Sequence, residues 1–482
     1  MGVRPLLLTV CATALLAACA SDGGLSHRAE PRDPSRLASA DTLAAVDDHG
    51  LWPRTHWWSR FGDPQLDALV DEALTGSPSL AMARARLDRA IAGAGLADAN
   101  RGPRVDANGE DSYQRFTENG RYPPPYAGAW GHVARLSLDF SYELDFWGRN
   151  ARRFEAAVGR VRAAEAEQQQ ARLMLATAVV GSYLELERSY AQRDIAEALV
   201  AQRQRMLDLT RDRVGAGLDA QVALRQAEAA IPDAQAQVAA MDEQMQLLRN
   251  RIAALLGQGP DRGLRIARPT TTANDPLALP TSVPAALIGR RPDVVAERWR
   301  VEAAARDIDA ARADFYPNIN LAAFVGLEAI GLDRLFEGGS RVAGAGPALT
   351  LPLFDAGRLR QQLSARNADY DAAAEAYNAT VIDAVRDVAD QIARWQGVDR
   401  QLARSREALA RFEDAYRLAL LRYREGLTNY LTVLTVEGQV LAQRRQVADL
   451  DAERRHNAVG LVRALGGGFD PERPADPQDP TS

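Results

Sequence analysis

The chain has 482 residues, of which 46% are hydrophobic and 25% charged, close to the average of soluble globular proteins. Its formal net charge of −6 argues against a nucleic-acid binder, because such proteins usually carry a basic excess. After the N-terminus the chain contains no run of about 20 apolar residues, so no membrane-spanning helix is predicted there.

The N-terminus carries a targeting segment over residues 1–18, in which an apolar run follows the positive charge of Arg4. Residues Leu16–Cys19 resemble the bacterial lipobox, which implies cleavage before Cys19 and covalent acyl chains on that cysteine. Each buried methylene of such chains adds about 0.8 kcal/mol to membrane binding. Ala20 follows where aspartate would signal retention in the inner membrane, which favours sorting to the outer membrane.

Residues 19–50 lack a hydrophobic period, and we interpret them as a lipidated tether. An aromatic cluster at Trp57, Trp58 and Phe61 comes next. We interpret it as packing against the body of the protein, with a sugar-stacking site as the alternative. Asp63-Pro64 then starts a helix, since it places an N-cap acceptor before a proline at the first helical position.

Two strand candidates follow, at about 104–117 and 132–145. The second alternates cleanly between apolar and polar residues over about 11 residues, the length of a membrane-spanning β-strand. The first alternates poorly, which leaves its register open. Two more candidates, at about 316–327 and 342–354, repeat the pattern in the second half of the chain.

A long helical hairpin follows each strand pair, at about 150–257 and at about 359–465. The turns begin at Arg213 and at Arg422, an offset of 422 − 213 = 209 residues. This offset holds without a gap for roughly 45 residues, the mark of an internal duplication. About 60 helical residues correspond to a rod about 90–100 Å long.

The duplication divides the chain into a first repeat over 51–257 and a second over 285–466, with a proline-rich connector over 258–284 and a disordered tail over 467–482. Four strands cannot enclose a lumen, and open sheet edges do not occur in lipid. Three chains would supply twelve strands and close the sheet. The predicted fold is therefore mainly α with a β-barrel part: long antiparallel helical hairpins plus four transmembrane strands per chain, closing as a trimer into a 12-stranded outer-membrane barrel and an α-helical periplasmic tunnel.

These features, taken with further motifs, resemble the outer membrane factor family in its NodT-type lipoprotein branch, related to TolC and OprM. The further motifs are Ser141–Asp145, Trp147–Arg149, Arg290–Asp293, Phe315–Pro317 and Leu465–Gly468. The resemblance implies a homotrimeric channel, lipid-anchored in the outer membrane of a Gram-negative bacterium, that docks a periplasmic adaptor and an inner-membrane pump of the RND type. Such channels passively conduct drugs, solvents, dyes or metal ions.

The two hairpin turns are the predicted functional sites. The residues expected to meet the adaptor are Arg213, Gly217, Leu218, Arg422, Gly426 and Leu427. The candidate gate charges are Asp212, Asp219, Arg424 and Glu425. Glycine permits the positive φ of a tight turn, so a purely structural reason for the two glycines stays open.

No catalytic group, metal site or cofactor is predicted apart from the lipid on Cys19, and the five histidines show no ligand spacing. Arg290-Arg291 is either a phosphate contact or a solvated helix start, and we interpret it as the second. Two alternative functions remain. A periplasmic adaptor lipoprotein would have a single hairpin, and a structural coiled-coil envelope lipoprotein would lack the strand pairs.

Overall fold

A computed structural model describes residues 24–33, 36–38, 52–120, 122–272, 289–352 and 354–470. The predicted signal segment, Cys19, residues 273–284 of the connector and the tail from 471 onward lie outside the described residues. The chain divides into two compact units. The first holds Met1–Pro31, Arg86–Ala164 and Glu297–Tyr377, and the second holds Arg32–Ala85, Glu165–Ala296 and Asn378–Ser482.

Helices dominate the described residues, as the sequence predicted. The α-helices are α1 (Pro64–Gly76), α2 (Pro78–Ala99), α3 (Arg149–Gly215), α4 (Gln221–Leu255), α5 (Pro292–Ala313), α6 (Arg358–Arg424) and α7 (Tyr430–Ala464). The strands are β1 (Arg104–Arg115), β2 (Trp130–Leu144), β3 (Asn318–Ile330) and β4 (Arg341–Thr350). Within these ranges the structure contains no helix long and apolar enough to cross a membrane.

The duplication extends to the helix boundaries. Helices α3 and α6 have 67 residues each, and α4 and α7 have 35 each. The first and last residues of each pair differ by 209, the offset found in the sequence. Each 67-residue helix is about 100 Å long at 1.5 Å per residue. Helix α4 continues through Pro232.

A glycine with a left-handed backbone ends each of the four long helices. The φ angles are 76° at Gly217, 74° at Gly257, 74° at Gly426 and 87° at Gly466. At the end of α3, Gly217 N–H donates to Val214 O at 3.0 Å and Leu218 N–H donates to Arg213 O at 2.9 Å. This pair of bonds is a Schellman motif, and it recurs at the other three ends.

The surroundings of these glycines differ between the turns and the opposite ends of the hairpins. A Cβ atom at Gly217 would meet nothing within 4 Å, and one at Gly426 would meet only Arg213 Nη1, at 4.0 Å. At Gly466 a Cβ would instead collide with the backbone oxygen of Arg290. The turn glycines are therefore required by backbone conformation alone, and they leave the turns open at the surface.

The strands form one antiparallel sheet in the order β1-β2-β3-β4. One face of this sheet is apolar and exposed, the reverse of the arrangement in a soluble protein. The register places Leu138 between Ala107 and Val325 on one face. This apolar face is open, with Leu138 52% and Val325 57% exposed. The opposite face is polar and, on β2, less exposed, as at Ser137, which is 3% exposed. Apolar residues outside and polar residues inside are typical of a sheet that faces lipid.

The pairing with β2 sets the register of β1, which the sequence left open. The first residues of β1 continue the apolar face, and Gly109 and Asp111 then interrupt it. Asp111 lies 3.0 Å from His132 Nδ1, and the rings of Tyr113 and Trp130 stack with centroids 5.6 Å apart. The poor alternation of β1 thus marks a polar and aromatic border where the apolar face ends.

The second unit has a hydrophobic core around the N-terminal aromatic cluster. Trp57 and Trp58 are each 3% exposed and pack with Leu66 and Leu69 of α1, so packing rather than sugar stacking is confirmed. Asp63 caps α1 by accepting Gln65 N–H at 3.0 Å, and it also accepts the Tyr183 hydroxyl at 2.7 Å. Burial opposes ionisation of Asp63, but these and further hydrogen bonds lower its pKa.

The interpretation of Arg290-Arg291 as a solvated helix start is wrong for Arg291. This side chain is 8% exposed, and it forms ion pairs with Asp293 at 2.6 Å and with Asp387 at 3.3 Å. It also donates to the carbonyl oxygen of Ala464 at 3.3 Å. Arg291 therefore joins the start of α5 to the end of α7. Arg290 instead lies over the Trp52 ring, 5.0 Å from its centroid.

Part of the predicted tether is held against the helices of the first unit. Leu25 packs against a core that includes Phe315 and Leu363. The backbone N–H groups of Arg28 and Ala29 both donate to Asp371 Oδ1, at 2.7 and 2.8 Å. The chain is therefore fixed only a few residues after Cys19.

Candidate functional site

The two hairpin turns lie side by side in the second unit. Arg213, in the last turn of α3, donates from Nη1 to the carbonyl oxygen of Arg424 at the end of α6, at 3.4 Å. A hydrophobic cluster lies beneath both turns. Its buried members are Met206, Leu207, Ala227, Ala419, Tyr423, Tyr430 and Val433. The helices themselves thus hold the first turn against the second.

A small polar network on this cluster connects the turns, and we call it the tip network: Thr210, Arg213, Asp219 and Tyr423. Arg213 Nε donates to Asp219 Oδ2 at 2.9 Å, and the Tyr423 hydroxyl donates to the same oxygen at 2.6 Å. The Arg213 guanidinium carbon lies 4.5 Å from the centroid of the Tyr423 ring. Thr210 Oγ1 is 3.2 Å from the Tyr423 hydroxyl. One carboxylate oxygen of the first hairpin therefore accepts a hydrogen bond from the second.

Burial makes these contacts strong. Arg213 is 8% exposed, and the Asp219 side chain is 11% exposed. Burial opposes ionisation of Asp219, but the hydrogen bonds from Arg213 and Tyr423 outweigh it and lower the pKa of the carboxyl. Burial and the bond to Asp219 raise the pKa of Tyr423 to about 12. At neutral pH the network thus consists of a carboxylate, a guanidinium and a neutral phenol.

The structure brings two of the predicted turn charges together and leaves the others in solvent. Arg213 and Asp219 form the ion pair of the tip network. Asp212, Arg424 and Glu425 are exposed, and none of them forms an ion pair with another described residue. Arg424 takes part only through its backbone oxygen.

The residues predicted to dock the adaptor fall into two groups, the glycines that form the turns and the side chains that are exposed to solvent. Gly217 and Gly426 form the turns, while Arg422, the counterpart of Arg213, is exposed. Leu218 and Leu427 are 65% and 67% exposed. Four residues later in each repeat, Val222 and Leu431 are 66% and 58% exposed. Each turn therefore presents a similar pair of apolar side chains to solvent.

Tyr423 is a member of the tip network that the sequence analysis did not select as a site residue. Its counterpart at the 209-residue offset is Val214, and the counterpart of Asp219 is Thr428. The repeats thus differ at the two positions that bond to each other across the turns. A comparison of the copies for differences, rather than for identities, would have pointed to this pair.

A second buried polar group lies farther from the turns. Glu437 is 4% exposed, and its carboxylate pairs with Arg203 Nη2 at 2.6 Å and also contacts the Gln202 amide. Burial raises the pKa of Glu437. Its counterpart Glu228 lies near the surface and pairs with Arg225 on its own helix. Among the described residues, no cluster of His, Cys, Asp and Glu could hold a metal ion.

Known relatives match most of the chain. The fusaric acid resistance protein FusA of Burkholderia cepacia is 38% identical over 371 residues, which cover 75% of this chain and 69% of the relative. The multidrug resistance outer membrane protein MdtP of Escherichia coli K12 is 34% identical over 468 residues, which cover 95% of both chains.

The fold also matches solved outer membrane channels. The outer membrane protein VceC of Vibrio cholerae is 37% identical, with a TM-score of 0.82 over 87% of this chain and 100% of that one. The outer-membrane channel OprN is 27% identical, with a TM-score of 0.83 over 93% of this chain and 99% of that one. The family model described as outer membrane efflux protein matches residues 69–258 and 283–467, one stretch in each repeat. The resemblance inferred from the sequence is confirmed: this chain belongs to the outer membrane efflux protein family.

Proposed function

We propose that this efflux channel of the Gram-negative outer membrane is the passive exit duct of a tripartite export system, and that it works as a homotrimer. The observation that carries the proposal is the inverted sheet. Its apolar face is open, with Leu138 52% and Val325 57% exposed, and its opposite face carries the polar residues. Strands β1 and β4 are the outer strands of the described sheet, so each pairs on one side only.

Lipid makes those edges costly. Each unpaired backbone group in hydrocarbon costs several kcal/mol. Four strands are too few to enclose a lumen, whereas three chains supply twelve and pair every edge. The polar face then lines the lumen. The long helices continue the lumen as a duct that conducts small molecules without catalysis.

The two rival functions fit the fold less well. A periplasmic adaptor needs one helical hairpin, and this chain has two. A structural coiled-coil lipoprotein needs no strands, and this chain has a four-stranded sheet with an open apolar face. Pump and adaptor are the partners we propose, with the pump of the RND type.

We include lipidation at Cys19 in the same proposal. Leu25, Arg28 and Ala29 contact α5 and α6 of the first unit, so an acyl group on Cys19 would be attached only a few residues before a fixed point. Intact mass spectrometry of the chain extracted from membranes should show a mature form that begins at Cys19 and carries acyl chains. An unmodified chain that keeps residues 1–18 would contradict this.

We further propose that the two turns dock the adaptor through their exposed apolar pairs. Leu218 and Leu427 occupy corresponding positions at the offset of 209 residues, so one chain offers two similar sites. Exposed apolar groups of this kind mark interaction surfaces. Gly217 and Gly426 leave the space beside the leucines open.

The docking surface predicts the effect of adding charge to it. Leu218→Asp and Leu427→Asp should each weaken recovery of the native adaptor with the affinity-purified channel by about tenfold or more, because a charge must be desolvated at the contact. Leu264→Asp is the control, since Leu264 is 63% exposed and lies outside the turns. Equal loss of adaptor in all three variants would contradict docking at the turns.

The tip network is proposed as the element that keeps the duct closed at rest. It joins the first turn to the second through the hydrogen bond from Tyr423 to Asp219 and the bond from Arg213 to the carbonyl oxygen of Arg424, and separating the turns breaks both. A hydrogen bond that involves a charged group contributes about 1.5–3 kcal/mol. A network of this strength favours the closed arrangement of the turns, and the binding of a partner can still shift the turns to the open arrangement.

The gate proposal predicts that Arg213→Ala makes the closed channel leak. The variant removes the bond from Arg213 to the second turn, and a loss of about 1.5–3 kcal/mol shifts the closed-to-open equilibrium by about tenfold to a hundredfold. Conductance of the purified trimer in planar bilayers measures both the pore itself and its resting leak. Arg422→Ala is the matched control, because Arg422 is the exposed counterpart in the other repeat. A trimer that never conducts would overturn the duct, and equal leakage in both variants would overturn the gate.

The gate also predicts a pH dependence. The pKa of Asp219 is lowered in the folded protein, so its contribution is complete above the ordinary value of 3.8 and is lost as the pH falls below that value. Resting leak should rise as the pH falls below about 4. Asp219→Asn should leak at every pH and lose this dependence, whereas Asp212→Asn, at the exposed neighbour, should keep it. A pH profile that Asp219→Asn leaves unchanged would contradict the role of this carboxylate.

A further inference from the structure

The polar face of the sheet carries most of its charges in two rows that cross the strands. Residues paired across neighbouring strands lie on the same face of a sheet. The row farther from the helices, which we call the outer row, joins Glu110 of β1, Arg135 of β2 and Glu328 of β3. The inner row places Asp106 of β1 directly opposite Asp139 of β2. Four residues of β1 separate the rows, which corresponds to about 13 Å.

Both guanidinium groups on these strands of the polar face are held by carboxylates of the same face. Arg135 lies 3.8 Å from Glu328 and 3.9 Å from Asp139, so it connects the outer row to the inner one. Arg104 lies one place beyond the inner row and pairs with Asp106 at 2.7 Å. The positive charges of this face are therefore already balanced by its own carboxylates.

Negative charges remain in surplus after this pairing. Four carboxylates stand against two guanidinium groups, which leaves two negative charges per chain. Glu110 is exposed and forms no ion pair with another residue that the structure describes. Glu143 lies on the same face but is left out of the surplus, because Arg149 donates to both of its carboxylate oxygens at 2.6 Å.

The fourth strand adds no charge to offset this surplus. On β4 the register assigns small or apolar residues to the polar face: Val342, Gly344, Gly346 and Ala348. A Cβ atom at Gly344 would lie 2.7 Å from the ring of Phe324, so this part of the face admits only the smallest side chain. Three copies around one axis would therefore bring together six surplus negative charges.

We propose that the barrel is a cation-selective filter, in which Glu110, Asp106, Asp139 and Glu328 favour small cations over small anions. The inference rests on the proposed function, because it requires the polar face to line the lumen. Rings of carboxylates in a pore with low-dielectric walls raise the local concentration of cations and repel anions. Electrostatic screening extends over about 10 Å at 0.1 M salt, so the fields of the two rows overlap. Arg135 limits the preference, since it places a positive charge between them.

The test measures the reversal potential of the purified full-length trimer in planar bilayers under a gradient of KCl. Around 0.1 M salt the permeability of K⁺ should exceed that of Cl⁻ by about threefold or more. Around 1 M salt the ratio should fall toward one, because the screening length shortens to about 3 Å. A conducting trimer without this preference at the lower concentration would overturn the filter.

Two variants change the surplus in opposite directions. Glu110→Gln combined with Glu328→Gln removes both surplus charges, so the ratio should fall to about one. Arg135→Gln removes a positive charge, so the ratio should rise about twofold or more. Asp111→Asn is the matched control, since Asp111 follows Glu110 on β1 and lies on the opposite face, and it should keep the wild-type ratio.

The outcomes separate the filter from the duct. A double variant that keeps the wild-type ratio, or Asp111→Asn that loses as much of it, would overturn the role of these carboxylates. If the double variant does not assemble, Glu110→Gln alone should still lower the ratio, and an unchanged ratio there would have the same meaning. A trimer that never conducts would overturn the proposed duct itself, whereas one that conducts K⁺ and Cl⁻ equally would overturn only the filter.

Discussion

Backbone hydrogen bonding in hydrocarbon is the constraint on which the rest of this structure depends. The apolar face of the sheet is suited to lipid, yet β1 and β4 each leave one row of N–H and C=O groups without partners in the described sheet. Water cannot satisfy those groups at that depth. Closure by further copies of the same sheet satisfies them, and it also turns the polar face toward a common axis. The cost of unpaired polar groups in hydrocarbon thus explains both the polarity of the strands and the oligomer we propose.

Duplication supplies most of what lies outside the membrane. The four long helices match in length and end on glycines at the same offset of 209 residues. A duplicated hairpin would present identical turns, and identical turns would carry the same charge toward each other. The copies differ where Val214 corresponds to Tyr423 and Thr428 to Asp219. These two changes create a donor on one turn and an acceptor on the other, so the turns attract each other.

Sequence patterns predicted the features that depend on neighbouring residues. The helix ends followed from glycines and from the repeat, and β2 followed from its alternation. Features that depend on residues far apart in the chain did not follow. Arg291 is buried because Asp387 and Ala464 approach it from α6 and α7, and no local pattern records that approach. Asp219 was a candidate gate charge, but its partner Tyr423 is 204 residues away and looked like an ordinary residue of a turn.

The choice of a polar network over an apolar contact at the turns has a physical reason. Apolar side chains of the same volume would often hold the turns together as well as a buried ion pair does, or better. Such a contact would be non-directional, and a partner that separates the turns would have to expose all of its buried apolar area. The tip network instead concentrates the attraction between the turns on two bonds, from Tyr423 to Asp219 and from Arg213 to the carbonyl oxygen of Arg424. A partner that shifts one hairpin by a fraction of a helical turn breaks both bonds at once, since hydrogen bonds weaken steeply with distance and angle. The buried hydrophobic cluster beneath spans both hairpins and holds the helices together below the turns. The gate we propose therefore requires the polar contacts at the turns and the apolar ones beneath them.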